Sequence, residues 1–328
     1  MKTPEKPPKW AEEHQVQLQS LLQNNELSML VKEIQSKYLY WEELKYRFQN
    51  EWYDNKTLWT IAKFLRTQQY KRIQIGEVEL FYYATDIAQE KLHYIDSRSG
   101  QIIGSDSPLG KSQSTERKRY LVNSLMEEAI ASSQLEGAMT TRKVAKEMLR
   151  ANRAPKNNNE RMIYNNYKTM NYIKELFEHG PSKNSQLTEE LILAVHRRIT
   201  HGTLENASAE GAFRVTNEIL VNDRETGETM HVPPQYGQLP RLIVDLCKFV
   251  NGTEAPFIHP LVKASILHFL IGYIHPFEDG NGRTARALFY WQCLKSGYWT
   301  FEYLPISRII KKAPSKYARA YLHTEYDG

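Results

Sequence analysis

In His275-Pro276-Phe277-Glu278-Asp279-Gly280-Asn281-Gly282-Arg283-Thr284-Ala285-Arg286, an imidazole, two carboxylates, two glycines, an asparagine and two arginines fall within one short run. Such a run is too polar for a core segment and marks a place for something anionic. An apolar stretch from Leu261 to Ile274 leads into it, Gly280-Asn281-Gly282 interrupts, and Ala285, Leu288, Phe289 and Trp291 resume helical spacing from Arg283 to Leu294. The spacing predicts helix, glycine loop, helix. A glycine turn feeding a helix N-terminus offers free backbone N–H groups and the positive end of the dipole, which together hold phosphate. Arg283 and Arg286, one turn apart, project to the same side and can grip further phosphate oxygens in charge-assisted forks. Asp279 is an oxygen donor of the kind Mg²⁺ takes when it bridges phosphates. His275 supplies a base that works near neutral pH.

The run matches H-x-F-x-D/E-G-N-G-R-x-x-R at every fixed position, and in this the chain resembles the Fic family. That resemblance covers roughly residues 118 to 300. It implies an enzyme that transfers AMP from ATP to a Ser, Thr or Tyr hydroxyl of a protein, the chain itself included, and releases pyrophosphate. By the same resemblance His275 is the general base and Asp279 the Mg²⁺ ligand. Glu278, Gly280, Asn281, Gly282, Arg283 and Arg286 are then the nucleotide-binding residues. Tyr317, with Tyr321 close by, falls in the region that resembles the family's adenine pocket.

Upstream, Lys118 to Ser133 is strongly helical, with Leu121, Leu125, Ala129 and Ile130 on one side. It ends in Ser132-Ser133-Gln134-Leu135-Glu136-Gly137, which resembles the family's inhibitory motif, S/T-x-x-x-E-G/N. Ser132 and Glu136 are a turn apart and face one neighbour, and a carboxylate aimed at Arg286 would take the guanidinium that should hold a phosphate. The same residues also read as an ordinary helix end, with Gly137 as its stop signal.

Between these motifs, Gly211 to Tyr236 changes character. Val215 to Val221 reads as a strand, Asn222 to Gly227 as a turn and Glu228 to Val232 as a return strand, the one convincing hairpin of the chain. It resembles the family's flap, which covers the nucleotide and clamps an extended target segment. Ile219 and Val221 are the candidates for target positioning.

The remaining sequence is helical in pattern. Trp10–Gln23, Leu27–Gln35, a helix from Tyr38 through Leu44 and Phe48 to Trp52, and Leu58–Leu65 form an N-terminal domain over 1–110, whose aromatic stripe reads as core packing. Ile73 to Ala84 fits either a strand pair or a helix start, and 96–114 reads as a surface loop and domain boundary. Helices follow at 141–151, 160–177, 188–199 and 239–250. The Fic-type domain spans 115–300, with the inhibitory helix at 118–137, and a C-terminal helical segment at 301–328 reads as cut short. The predicted fold is therefore mainly α: a Fic-type helical bundle with one β-hairpin flap behind a helical N-terminal domain.

A net charge of +5, from 43 basic and 38 acidic residues, is dispersed and gives no clear nucleic-acid footprint. No apolar run reaches the roughly 18–20 residues that span a bilayer. Cys247 and Cys293 sit in apolar helical patterns, which fits a reducing compartment, and the expectation is a cytoplasmic protein, with a homodimer as a candidate assembly. The spacing of His259, His268 and His275 fits no common zinc pattern, and His196 and His201 read as packing or capping residues. Two rival readings remain: removal of AMP from a modified protein using Glu136, and an ATP-sensing regulator without turnover.

Overall fold

The structure, a computed structural model, describes residues 3–8, 24–48, 53–103, 114–177, 186–223, 226–252 and 257–326. The expected helix at Trp10–Gln23, Trp52 and the loop from 104 to 113 lie outside these residues. The chain divides into two compact units. One comprises Met1–Gln74, Val78–Tyr94 and Ser315–Gly328, the other Ile75–Glu77 and Ile95–Pro314.

In the first unit, α1 (Asn25–Lys37) starts where Asn24 Oδ1 accepts from the N–H groups of Glu26 and Leu27, and ends in left-handed Tyr38. It buries Leu27, Val31 and Ile34 against the same cluster as Trp41 and Leu44 of α2 (Trp41–Arg47) and Leu58, Trp59, Ile61 and Ala62 of α3 (Asn55–Thr67). The aromatic stripe is thus core. Arg66 is fully buried beneath it, donating to Gln35 Oε1 and Leu39 O at 2.9 Å with its guanidinium 4.1 Å from the Tyr38 ring. Of the two options for 73–84 the strand pair forms: β1 (Lys71–Ile75) and β2 (Val78–Tyr82) join at Gly76, so the described residues hold a second hairpin besides the expected one.

The start of the expected loop at 96 is corrected. Helix α4 (Asp86–Ile103) runs straight through it, opened by Thr85, whose hydroxyl accepts from Ala88 N–H. A glycine inside a helix costs about 1 kcal/mol and serine less, while each residue added to a helix already nucleated gains a hydrogen bond. Polar composition alone does not stop such a helix.

The second unit is a helical bundle built from α5 (Ser114–Leu135), α6 (Arg142–Arg150), α7 (Asn158–Glu175), α8 (Glu189–Thr200), α9 (Leu239–Asn251), α10 (Pro260–Ile274), α11 (Asn281–Lys295) and the short α12 (Ile306–Ile310). Thr141, Asn157 and Thr188 cap α6, α7 and α8, each side chain accepting from a backbone N–H of the first turn. The α10–α11 pair forms the centre. α10 buries Leu261, Ala264, Leu267, Leu270, Ile271 and Ile274, and α11 is buried over 12 of its 15 residues, so neither is a surface helix with one apolar stripe. α12 is fixed to α5 by the buried Glu128 carboxylate, which accepts from Ser307 N–H at 2.8 Å and from its hydroxyl. The last helix, α13 (Pro314–Tyr326), belongs almost wholly to the first unit.

The flap hairpin is shorter than the sequence pattern suggests. β3 (Val221–Asn222) pairs antiparallel with β4 (Thr229–His231), with Val221 opposite His231, Asn222 opposite Thr229 and a bulge between. Residues 213–220 form no strand. A two-stranded ribbon with no third strand is marginal in water, and the backbone near 214–217 is engaged elsewhere.

Candidate active site

Helix α10 ends at His275, which adopts a left-handed conformation with φ of 47°. Its backbone N–H bonds Ile271 O, and its ring Nδ1 lies 3.2 Å from Gly272 O. A carbonyl can only accept, so Nδ1 carries the proton and the lone pair of a neutral ring sits on Nε2. Burial holds the pKa of this imidazole down to about 4, opposed by the Gly272 hydrogen bond. At neutral pH His275 is therefore an uncharged base.

The loop beyond it is braced from inside. Asn281 Oδ1 accepts from Phe277 N–H at 3.0 Å, and Asn281 Nδ2 donates to Phe277 O at 2.8 Å. The sequence reading aims this side chain at phosphate, but both of its polar ends are spent on the loop. Its backbone N–H, with those of Gly282 and Arg283, forms the open first turn of α11. Gly280, the N-cap with φ of 83°, turns the chain; a Cβ there would strike Thr200 and the His196 ring.

His196 is a residue whose role the sequence does not disclose. Fully buried on α8, it stacks on Phe277 with centroids 3.7 Å apart, accepts from Gly211 N–H at Nδ1 and donates from Nε2 to Asp279 O at 2.9 Å. Burial pushes its pKa down to about 4, so it stays neutral and joins the loop to the root of the flap. Arg214 is the other. It is 2% exposed and donates from Nε to His275 O at 2.9 Å and from Nη1 to Thr216 O at 2.8 Å. The only sequence signal for either is a polar residue inside an otherwise apolar approach.

The two arginines of the signature part company. Arg283, fully buried, donates to Asp279 Oδ2 at 3.1 Å, while the Asp279 side chain is 62% exposed. Arg286 turns to the end of α5, donating from Nε to Ser132 Oγ at 2.8 Å and from Nη2 to Ser132 O at 3.0 Å and Glu136 Oε1 at 2.8 Å.

Ser132 to Gly137 forms the helix end that the Gly137 stop signal suggests, and from it Glu136 reaches Arg286. Ala138 N–H bonds Ser133 O and Gly137 N–H bonds Gln134 O, a Schellman end with Gly137 at φ of 97°. That stop places Glu136 at the C-cap, where its carboxylate lies over the first turn of α11. A Cβ on Gly282 would collide with it.

Among the other expected residues, Glu278 is exposed and within 3.4 Å of Asn206 Nδ2. Ile219 and Val221 are half-buried, and Leu220 between them is exposed. Tyr317 belongs to the first unit, its ring edge-on to Tyr321 at 5.5 Å. His259 caps α10, accepting from Leu261 N–H, and His268 is half-buried on that helix. Among the described residues no helix is long and apolar enough to cross a membrane.

Residues 186–293 match the Fic/DOC family. The chain is 34% identical over 117 residues to the Protein adenylyltransferase Fic of Aedes aegypti, a match covering 36% of this chain and 21% of that protein. To its Drosophila melanogaster counterpart it is 33% identical over 131 residues, 40% of this chain and 23% of the other. The matches thus span about a fifth of those relatives' length. In fold the chain resembles a Fic family protein from Desulfovibrio desulfuricans, with a TM-score of 0.56 at 22% identity over 76% of this chain and 68% of that one. It also resembles Fic-1 from C. elegans, with a TM-score of 0.55 at 16% identity over 93% and 86%. The chain thus carries a Fic/DOC family match over residues 186–293, the segment that holds His275, the signature loop and its Asn281 brace.

Proposed function

We propose that the chain is a protein adenylyltransferase that moves AMP from ATP to a Ser, Thr or Tyr hydroxyl of a protein target, and that Glu136 restrains it. The observation that carries this reading is the position of Glu136. Its carboxylate holds Arg286 at 2.8 Å and lies over the N-terminal turn of α11, where an anion would otherwise be bound.

In the proposed reaction the target hydroxyl attacks the α-phosphorus in line, its proton passes to Nε2 of His275, and the bond to the pyrophosphate oxygen breaks. The Nδ1–H bond to Gly272 O keeps Nε2 in the accepting tautomer. The amides opening α11 hold the phosphate chain, and Arg286, once released, neutralises its far end. Asp279 suits Mg²⁺, since that ion keeps several waters and substrate oxygens and needs only one or two carboxylates. The exposed carboxylate of Asp279, steadied on one oxygen by Arg283, matches that donor set. When bound there, the ion would offset phosphate charge. Ile219 and Val221 would align the target on the flap.

The test is transfer of labelled AMP from ATP to protein in a lysate. His275→Ala should abolish transfer with ATP binding retained; full transfer by that variant would sink the base assignment.

A further inference from the structure

The C-terminal end of α10 presents backbone carbonyls that no later turn of the helix can satisfy. Two are met within the helix end: Ile271 O by His275 N–H and Gly272 O by the His275 ring. The others are met by the flap. Tyr273 O accepts from His231 Nε2 of β4 at 2.7 Å, and Ile274 O from Arg214 Nη2 at 3.5 Å. His275 O accepts from Arg214 Nε, and Pro276 O from Arg214 N–H, both at 2.9 Å. The same guanidinium also reaches Thr216 O on the outgoing arm of the flap and Pro234 O on the returning arm. A planar fork of five donors can serve all these carbonyls, whereas a lysine ammonium cannot.

From this geometry we propose that Arg214 is a positioning residue that makes the flap and His275 one mechanical unit, so that the segment clamping the target and the base acting on it cannot move independently. The inference rests on the adenylyl-transfer reading for its kinetic consequence, but not for the mechanical coupling itself. Left-handed backbone costs a non-glycine residue about 1–2 kcal/mol, and His275 keeps it while its own carbonyl is held by Arg214. The charged and titratable groups bearing on the His275 ring are His231 and Arg214 of the flap and Glu136 of the α5 end.

Two experiments test this on the full chain. In the unmodified protein, hydrogen exchange should show the Arg214 N–H of the flap root and the His275 and Phe277 N–H groups opening together, with one denaturant dependence. If the Arg214 amide exchanged far faster than its loop neighbours, the coupling would be refuted, whatever reaction the protein performs. In a Glu136→Gly background, Arg214→Lys should leave ATP affinity unchanged and lower kcat by roughly 10²-fold, the usual consequence of misplacing reacting groups by about an ångström. It should also remove the single Nδ1–H tautomer of His275 in ¹⁵N spectra. A folded Arg214→Lys variant with unchanged kcat and tautomer would overturn the proposal. Absence of AMP transfer in the Glu136→Gly parent would instead count against the proposed function, and the exchange result would still decide the coupling.

Discussion

On the proposed function Arg286 has two uses, and replacing Glu136 with glycine should separate them. Glu136 Oε1 accepts a charge-assisted hydrogen bond of 2.8 Å from Arg286, whose side chain is 6% exposed while that of Glu136 is 22% exposed. A hydrogen bond involving a charged group contributes roughly 1.5–3 kcal/mol, and ATP must displace this one to use the guanidinium. At about 1.4 kcal/mol per factor of ten, Glu136→Gly should raise productive transfer of AMP by about 10- to 100-fold. Backbone strain adds little, because it is Gly137 and not Glu136 that holds the positive φ. The variant should also be less stable without nucleotide, by about 1 kcal/mol, since Arg286 keeps Ser132 Oγ and Ser132 O as partners. Saturating ATP should recover that loss by linkage. The assay is labelled AMP transfer beside calorimetric ATP binding and urea unfolding. Unchanged transfer at unchanged ATP binding would refute the restraint; a gain in activity together with a gain in stability without nucleotide would show that the ion pair is not what ATP displaces.

Gly137→Ala should cost about 1–2 kcal/mol, because its φ of 97° is unfavourable for a side chain, and should also raise AMP transfer as the helix end that aims Glu136 loosens; urea midpoints and the transfer assay check both. His196→Phe preserves the stack on Phe277 but removes the bonds to Gly211 N–H and Asp279 O, so unfolding free energy should fall by roughly 2–4 kcal/mol, and a variant as stable as the parent would remove His196 from its bracing role. Stability should rise with pH across the acid range. Burial holds His196, His268 and His275 at about 4, 3 and 4 in the folded state. An exposed histidine titrates near 6.5, so between that pH and about 4 the unfolded chain binds these protons and the folded chain does not. The slope should reach up to about 4 kcal/mol per pH unit, and equal urea midpoints at pH 7 and pH 5 would contradict it.

Much of the fold was legible because its signals are local. The Gly137 stop and the apolar spacing of α10 and α11 act within one or two turns, so the sequence carries them directly. Where local signals conflict, the pattern misleads. The Ser and Gly content of 96–103 suggests a loop, yet an established helix carries on through it. The alternation from Val215 to Val221 suggests a strand, yet most of that backbone forms none, and the Arg214 N–H at its root bonds Pro276 O of the signature loop.

For the site, the sequence by itself determined the inventory: an imidazole, two carboxylates, a glycine turn before a helix, two arginines and a distant Ser132–Glu136 pair. Tertiary structure decided the assignments. It sent Arg283 to Asp279 and Arg286 to Glu136, 150 positions away in the chain. It spent Asn281 on Phe277, fixed the His275 tautomer through Gly272, and brought in His196 and Arg214, which no motif announced. The physical reason is range. Helix caps and spacing are satisfied by neighbours within a turn, whereas a buried guanidinium or imidazole must find a partner wherever packing brings one, and sequence spacing does not encode that distance.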